Sequence, residues 1–123
     1  MTQAATWLPK PENHDYMAAE DYLSLVMSPD KAAEYRHKLS EAKDNITHRK
    51  AKDILRASQL ALLARDDKYV AADLAKAAAG HAISPILLVR GSEGHPLIVA
   101  DGYHRVCASY WIDEDTDIPC VLI

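Results

Sequence analysis

A chain of 123 residues with 49% hydrophobic residues is one domain of ordinary size, with enough apolar material for a core. There is no Phe, so Leu, Ile, Val, Ala, six Tyr and two Trp must fill that core. A net charge of -4 excludes the broad basic surface that non-specific nucleic-acid binding needs, and no apolar run approaches the ~18 residues that span a bilayer.

Residues 1–16 read as an irregular arm punctuated by Pro9, Pro11 and Asn13 and pinned to the body by Trp7 and Leu8. The segment Met1 to Trp7 has neither a basic nor an apolar leader region, so no signal peptide is expected and the location expected is cytoplasmic. Residues 17–27 carry a helical pattern with Ala18, Tyr22, Leu25 and Val26 on one side. Ser28-Pro29-Asp30 marks a fresh helix start, and residues 31–43, rich in Ala, Glu, Lys and Arg, read as a largely exposed helix. Asp44-Asn45 interrupts, and Thr47 is a candidate cap for a third helix over about 48–57, with Ala51, Ile54 and Leu55 inward.

Leu60-Ala61-Leu62-Leu63 is a strand or a buried connector. Asp66-Asp67 precedes a helix over about 69–79 with Val70, Ala71, Leu74, Ala75 and Ala78 on one face, Asp73 and Lys76 opposite, and Gly80 as its stop. Ile86–Val89 reads as a buried strand, Gly91-Ser92-Glu93-Gly94 as a hairpin turn and Leu97–Ala100 as the returning strand. A last helix covers about 103–112, and Ile118–Leu122 forms a terminal strand that Pro119 places near an edge or a strand start. Cys107 and Cys120 lie in apolar settings, which predicts buried free thiols, and no further ligands stand at zinc spacing. Asp113, Glu114, Asp115 and Asp117 read as a solvated acidic loop. The order of elements predicts an α+β fold with a small mixed sheet, in which 1–59 is a mainly helical extension and 60–123 the core of a single domain.

The most specific segment is Asp101-Gly102-Tyr103-His104-Arg105, set between a strand and a helix. The first turn of a helix has unpaired N–H groups and positive potential, Gly102 permits close approach, and Arg105 offers a fork that suits phosphate. Asp101 is a candidate to accept a hydroxyl proton or hold Mg²⁺; the alternative is that it caps the helix. Tyr103 is a candidate to stack on a base or bond a phosphate, or else an aromatic lid on the hairpin. His104 is a candidate phosphate donor or acid/base, or else an orienting hydrogen bonder. Arg105 falls on the helix side away from Val106, Cys107, Tyr110 and Trp111, free to reach phosphate or to make a surface ion pair.

From about Leu60 to Ile123 the chain resembles the ParB N-terminal/sulfiredoxin-like superfamily. The resemblance rests on the helix ending at Gly80, the stretch Ile83-Ser84-Pro85-Ile86-Leu87-Leu88-Val89-Arg90, the hairpin, Ile98 to Arg105, Ala108 and Ile118-Pro119-Cys120-Val121. It implies nucleotide binding at the Gly102 turn, with Ser84 approaching the nucleotide. Sulfiredoxins read Gly-Cys-His-Arg at this turn. Tyr103 replaces their nucleophilic Cys, and a phenol cannot do that chemistry. Partition proteins read Gly-Glu-Arg-Arg, bind CTP and continue into a helix-turn-helix domain. Here Tyr103 and His104 depart and the sequence stops at Ile123, so direct DNA binding is not expected. Kinases of free serine read Asp-Gly-His-His-Arg, matched at Asp101, Gly102, His104 and Arg105. They also use an upstream glutamate as base, for which no residue aligns, although Asp66 and Asp67 stand roughly where such a carboxylate belongs.

The resemblance thus implies a nucleoside di- or triphosphate with Mg²⁺, on a site with Asp101 and His104 as catalytic candidates, Asp101 as metal ligand, and Gly102, Tyr103, His104, Arg105 and Ser84 as phosphate or nucleotide contacts. Two outcomes stay open, an ATP/ADP- or CTP-dependent phosphoryl transferase or NTPase and a non-enzymatic interaction module, nucleotide-responsive or ligand-free. The N-terminal helices are the expected face for a protein partner or a second copy.

Overall fold

Ile86-Leu87-Leu88-Val89 contains no polar residue, and a strand buried on both faces needs none. In the computed structural model, which describes residues 4–123, all four are buried. The expected arm and leader residues Met1, Thr2 and Gln3 lie outside the described residues. The elements run β1 (Thr6–Trp7), α1 (Asn13–Leu23), α2 (Pro29–Glu41), β2 (Ile46–Lys50), α3 (Ala51–Ser58), α4 (Lys68–Ala78), β3 (Ala82–Ile83), β4 (Ile86–Val89), β5 (Ile98–Asp101), α5 (Tyr103–Ile112) and β6 (Asp117–Leu122). The fold is α+β with a mixed sheet, as expected. Its strand order is β2-β6-β4-β5, with β4 parallel to β6 and the other two pairs antiparallel.

Strand alternation divides the core into two layers. Ile86, Leu88, Ile118 and Cys120 face α3 and α5 and pack with Ile54, Val70 and Val106. Leu87, Val89 and Val121 face the other way, onto Tyr16, Ala19, Leu23 and Leu39 of α1 and α2. The N-terminal helices therefore cover one whole face of the sheet. No helix among the described residues is long and apolar enough to cross a membrane.

Several local expectations are corrected. The helix expected over 17–27 spans Asn13–Leu23, because Asp15 turns back to accept the Glu12 N–H at 2.8 Å and starts the helix early. Its buried stripe is Tyr16, Ala19 and Leu23, whereas Ala18, Tyr22, Leu25 and Val26 are exposed. Thr47 caps no helix. It lies in β2 opposite Cys120, and α3 begins only at Ala51, although Ala51, Ile54 and Leu55 are inward as expected. β2 belongs to the half expected to be helical, yet it pairs with β6. β6 is accordingly an interior strand. Pro119 is tolerated there because pairing with β4 begins only at Cys120, leaving no β4 partner that needs its missing N–H. Leu60–Leu63 is a connector: Leu60 and Leu63 pack on the core, and Leu62 is exposed.

Leu39 is fully buried in the α1–α2 layer. Leu39→Ala should cost about 2–5 kcal/mol in urea unfolding and shift a single transition shared by both halves of the chain. A second transition, or an unchanged midpoint, would show that the helical layer does not share the core.

Candidate functional site

The turn after β5 has a left-handed residue at its centre. Gly102 has φ +107°, and a Cβ there would run into Ile86 Cδ1 and lie 2.8 Å from Arg105 Nη2. Glycine is thus required both for the backbone and for the guanidinium that folds over it. Gly102 is also the cap position of α5, and no side chain caps this helix. Asp101 is the last residue of β5, so the capping alternative for its carboxylate does not occur.

Arg105 is not free. Its side chain is only 14% exposed and is gripped from three sides. Nη2 donates to Asp101 Oδ2 at 2.7 Å, Nη1 donates to the Ser84 carbonyl at 3.1 Å, and Asp15 Oδ1 stands 3.7 Å from Nη1. Asp15 is buried and comes from the first turn of α1. Beside it, the buried Ser84 hydroxyl donates to Glu12 Oε1 at 3.0 Å. The short ladder β1–β3 explains this convergence. Thr6 and Trp7 pair in parallel with Ala82 and Ile83, and the Leu8 N–H donates to the Ile83 carbonyl at 2.8 Å. The ladder holds the start of α1 against the Ser84 segment.

The cleft around the turn has a volume of 320 Å³. Asp101, Gly102, Tyr103, His104 and Arg105 line it, together with His14, Asp15, Tyr69, Asp73 and Lys76. Ser84 and Glu12 line the adjoining cavity of 260 Å³, which shares His14, Asp73, Lys76 and Arg105 with the first. The expected site residues therefore lie together. Tyr103 departs in detail: its hydroxyl donates to the Ala61 carbonyl, so the ring leans on the 60–63 connector instead of the hairpin. His104 lies between aromatic neighbours, with ring centres 5.0 Å from Tyr69 and 5.6 Å from Tyr103.

The sequence motif does not reveal Glu12, His14, Asp15, Tyr69, Asp73 or Lys76 as residues of the site. Glu12 and Asp15 sit in a segment read as an irregular arm, and the signal available was the acid pair just after Pro11. Asp73 was placed on the outer face of its helix, but it is half-buried and faces the cleft with Lys76. Asp67 does not supply a carboxylate here: its Oδ1 accepts the Tyr69 and Val70 N–H groups at 3.0 and 3.1 Å and caps α4. Asp66 is exposed, outside the cleft lining.

The electrostatics follow from this crowding of acids. Asp15, Asp73 and Asp101 face Lys76 and Arg105 across one cleft, three carboxylates against two fixed cations. Burial pushes the Asp101 carboxyl up to about 6, with Arg105 opposing the rise and Asp15 adding to it. Burial also raises Asp73, against the pull of Lys76, Arg105 and His104. Glu12, His14 and Asp15 each offer a ligand atom within 4.8 Å of the others, a donor set compatible with a divalent cation. The two cysteines are buried and free, and burial pushes the Cys120 thiol up to about 12. No protein-family model, curated protein or solved structure matches this chain.

The folded state holds the Asp101 carboxyl at about 6 against an ordinary 3.8, so its proton favours the fold. That contribution is complete below about pH 3.8 and is lost as pH rises through about 6. In urea titrations the wild type should lose stability relative to Asp101→Asn across this window. Parallel curves would mean that the carboxyl is not desolvated. Arg105→Ala strips the counter-charge from Asp101 and Asp15 together. It should cost about 3 kcal/mol near pH 7 and distinctly less near pH 4.

Proposed function

We propose that the chain binds a nucleoside di- or triphosphate with Mg²⁺ on the Asp101–Arg105 turn and transfers a phosphoryl group to a hydroxyl-bearing acceptor or to water. The observation that carries this reading is the meeting of Glu12 and Asp15 with Ser84 and Arg105. The kinases that the turn resembles use an upstream glutamate as base. Glu12 is a carboxylate upstream in the chain, next to the turn in space and partly open to solvent.

On this reading Glu12 takes the proton of the attacking hydroxyl or water, and Lys76, His104 and Arg105 donate to phosphate oxygens. The N–H groups of the uncapped first turn of α5 supply further donors. Most of the catalysis is positioning and charge stabilisation, because phosphoryl transfer asks little covalent chemistry of the protein. Asp101, which opens the turn, and Asp15 beside it offer carboxylate oxygens that suit a hard divalent ion. When bound, Mg²⁺ supplies the positive charge that a cleft with more acids than bases lacks for a polyphosphate.

A second reading, a nucleotide-responsive interaction module without turnover, is favoured by the Arg105–Asp101 pair. That pair closes the guanidinium against its own strand and has to open before the fork can take a phosphate. A cytoplasmic location accompanies either reading.

Calorimetric titration with ATP, ADP, CTP and GTP, each with and without Mg²⁺, tests both. Mg²⁺-dependent binding is expected, and Arg105→Lys should weaken it about tenfold by losing the bidentate fork. Glu12→Gln should retain binding and lose turnover. If it also retains turnover, Glu12 is not the base. Binding with no turnover in the wild type selects the module. No binding at about 1 mM for any nucleotide overturns both readings.

A further inference from the structure

A second cavity, of 540 Å³, lies between the α1–α2 corner and the β4–β5 hairpin and shares no lining residue with the Asp101 cleft. Tyr22, Val26, Lys31 and Tyr35 form one wall, and Arg90 and His95 stand on the other. Two of its lining residues are apolar side chains that the fold leaves outside: Val26 is 52% exposed and Tyr22 40%, and Leu25, the chain neighbour of Val26, is 82% exposed. Single exposed apolar residues are ordinary, but a contiguous patch beside a groove marks a binding surface.

The patch is rigid. The Ser24 N–H donates to the Glu20 carbonyl at 2.9 Å, Leu25 to Tyr22 at 3.0 Å and Met27 to Leu23 at 2.9 Å, while Leu23 itself is fully buried. Leu25 and Val26 are therefore held out on a hydrogen-bonded turn, and a partner that meets them pays little ordering entropy. The charge is one-sided. In a chain with 18 acidic and 14 basic side chains, no carboxylate lines this groove. Lys31 and Arg90 make no ion pair among the described residues. Glu93, at the hairpin tip, stays outside the lining.

From this combination we infer that the groove docks a short acidic segment of a partner protein, with one or two apolar side chains on Tyr22 and Val26 and carboxylates on Lys31 and Arg90. Apolar contact supplies affinity, and the two cations set register and select against basic partners. A second copy of the chain is a poorer occupant. The acidic loop after α5 already commits Asp115 to Lys52 at 2.6 Å and Asp117 to Lys50 at 3.8 Å. This surface is independent of the nucleotide reading and stands if that reading fails.

The test is a display library of random short peptides, panned on the full chain and counter-selected on the Lys31→Glu/Arg90→Glu variant. Both positions are exposed, so the variant is expected to fold, and circular dichroism checks it. Enriched peptides should combine Asp or Glu with Leu, Ile, Phe or Trp. The best of them, made synthetically with a fluorescent label, should bind at least about tenfold more weakly to Arg90→Glu and to Val26→Asp. Its binding should also weaken as salt rises from about 0.05 to about 0.5 M. No enrichment, enrichment without acids, or binding indifferent to both substitutions overturns the inference. So does a wild type that sediments as a dimer and becomes monomeric on Val26→Asp, because the occupant is then a second copy.

Discussion

The guanidinium of Arg105 ties together three separate stretches of chain. It leaves the first turn of α5, bonds the carboxylate that ends β5, bonds the carbonyl between β3 and β4, and faces the carboxylate of the first turn of α1. No apolar contact could do this, because apolar packing is indifferent to direction and a planar fork is not. Gly102 has to be glycine because the fork folds over it. Ser84 is buried at the point where its carbonyl accepts from the fork. The β1–β3 ladder has to form because it brings Asp15 and Glu12 within reach. The geometry of the candidate site is therefore the geometry of one side chain's partners.

Such a hub contributes less to stability than its contacts suggest. Two carboxylates and a guanidinium have been taken out of water, and the desolvation cost offsets most of their attraction. The raised Asp101 carboxyl is the mark of that cost: burial outweighs even a direct bond to Arg105. Stability lies instead in the two apolar layers on either face of β4 and β6. What the ion cluster supplies is position, with several acids and bases held at fixed separations in one cleft. A group held near neutral pH by burial is poised to exchange a proton, which a fully solvated aspartate is not.

The elements legible in the sequence are those whose local pattern and tertiary role agree. Ile86–Val89 is uniformly apolar and buried on both faces, and Tyr103–Ile112 follows a glycine turn and packs Val106 and Cys107 inward. β2 was illegible because Ile46-Thr47-His48-Arg49-Lys50 lies at the sheet edge, where charge protects against strand addition and mimics an exposed helix start. The bounds of α1 are not legible because two apolar sets compete, one along the helix and one that runs past its end. Tyr22, Leu25 and Val26 are the more hydrophobic, but Tyr16, Ala19 and Leu23 are the ones that the sheet covers. Within the site, the turn from Asp101 to Arg105 was legible because five adjacent residues carry it. Glu12, Asp15 and Asp73 were not, because only long-range pairing brings them there. No local periodicity records a contact between residues 72 positions apart.

α1 shows why the two halves of the chain are not a core and an appendage. Its first turn supplies Asp15 to the cleft, its middle lays Tyr16, Ala19 and Leu23 on the sheet, and its last turn brings Tyr22 to the second groove. At about 1.5 Å per residue, the rise from Asp15 to Tyr22 sets the two surfaces roughly 10 Å apart along one axis. Removing the helix would uncover Leu87, Val89 and Ala100, strip the buried counter-charge from Arg105 and abolish the groove together. One helix thus closes the core, completes the ion cluster and leads into the turn that carries Leu25 and Val26. Apolar residues can stay outside there without unfolding the protein because the inner face of α1 already satisfies the sheet.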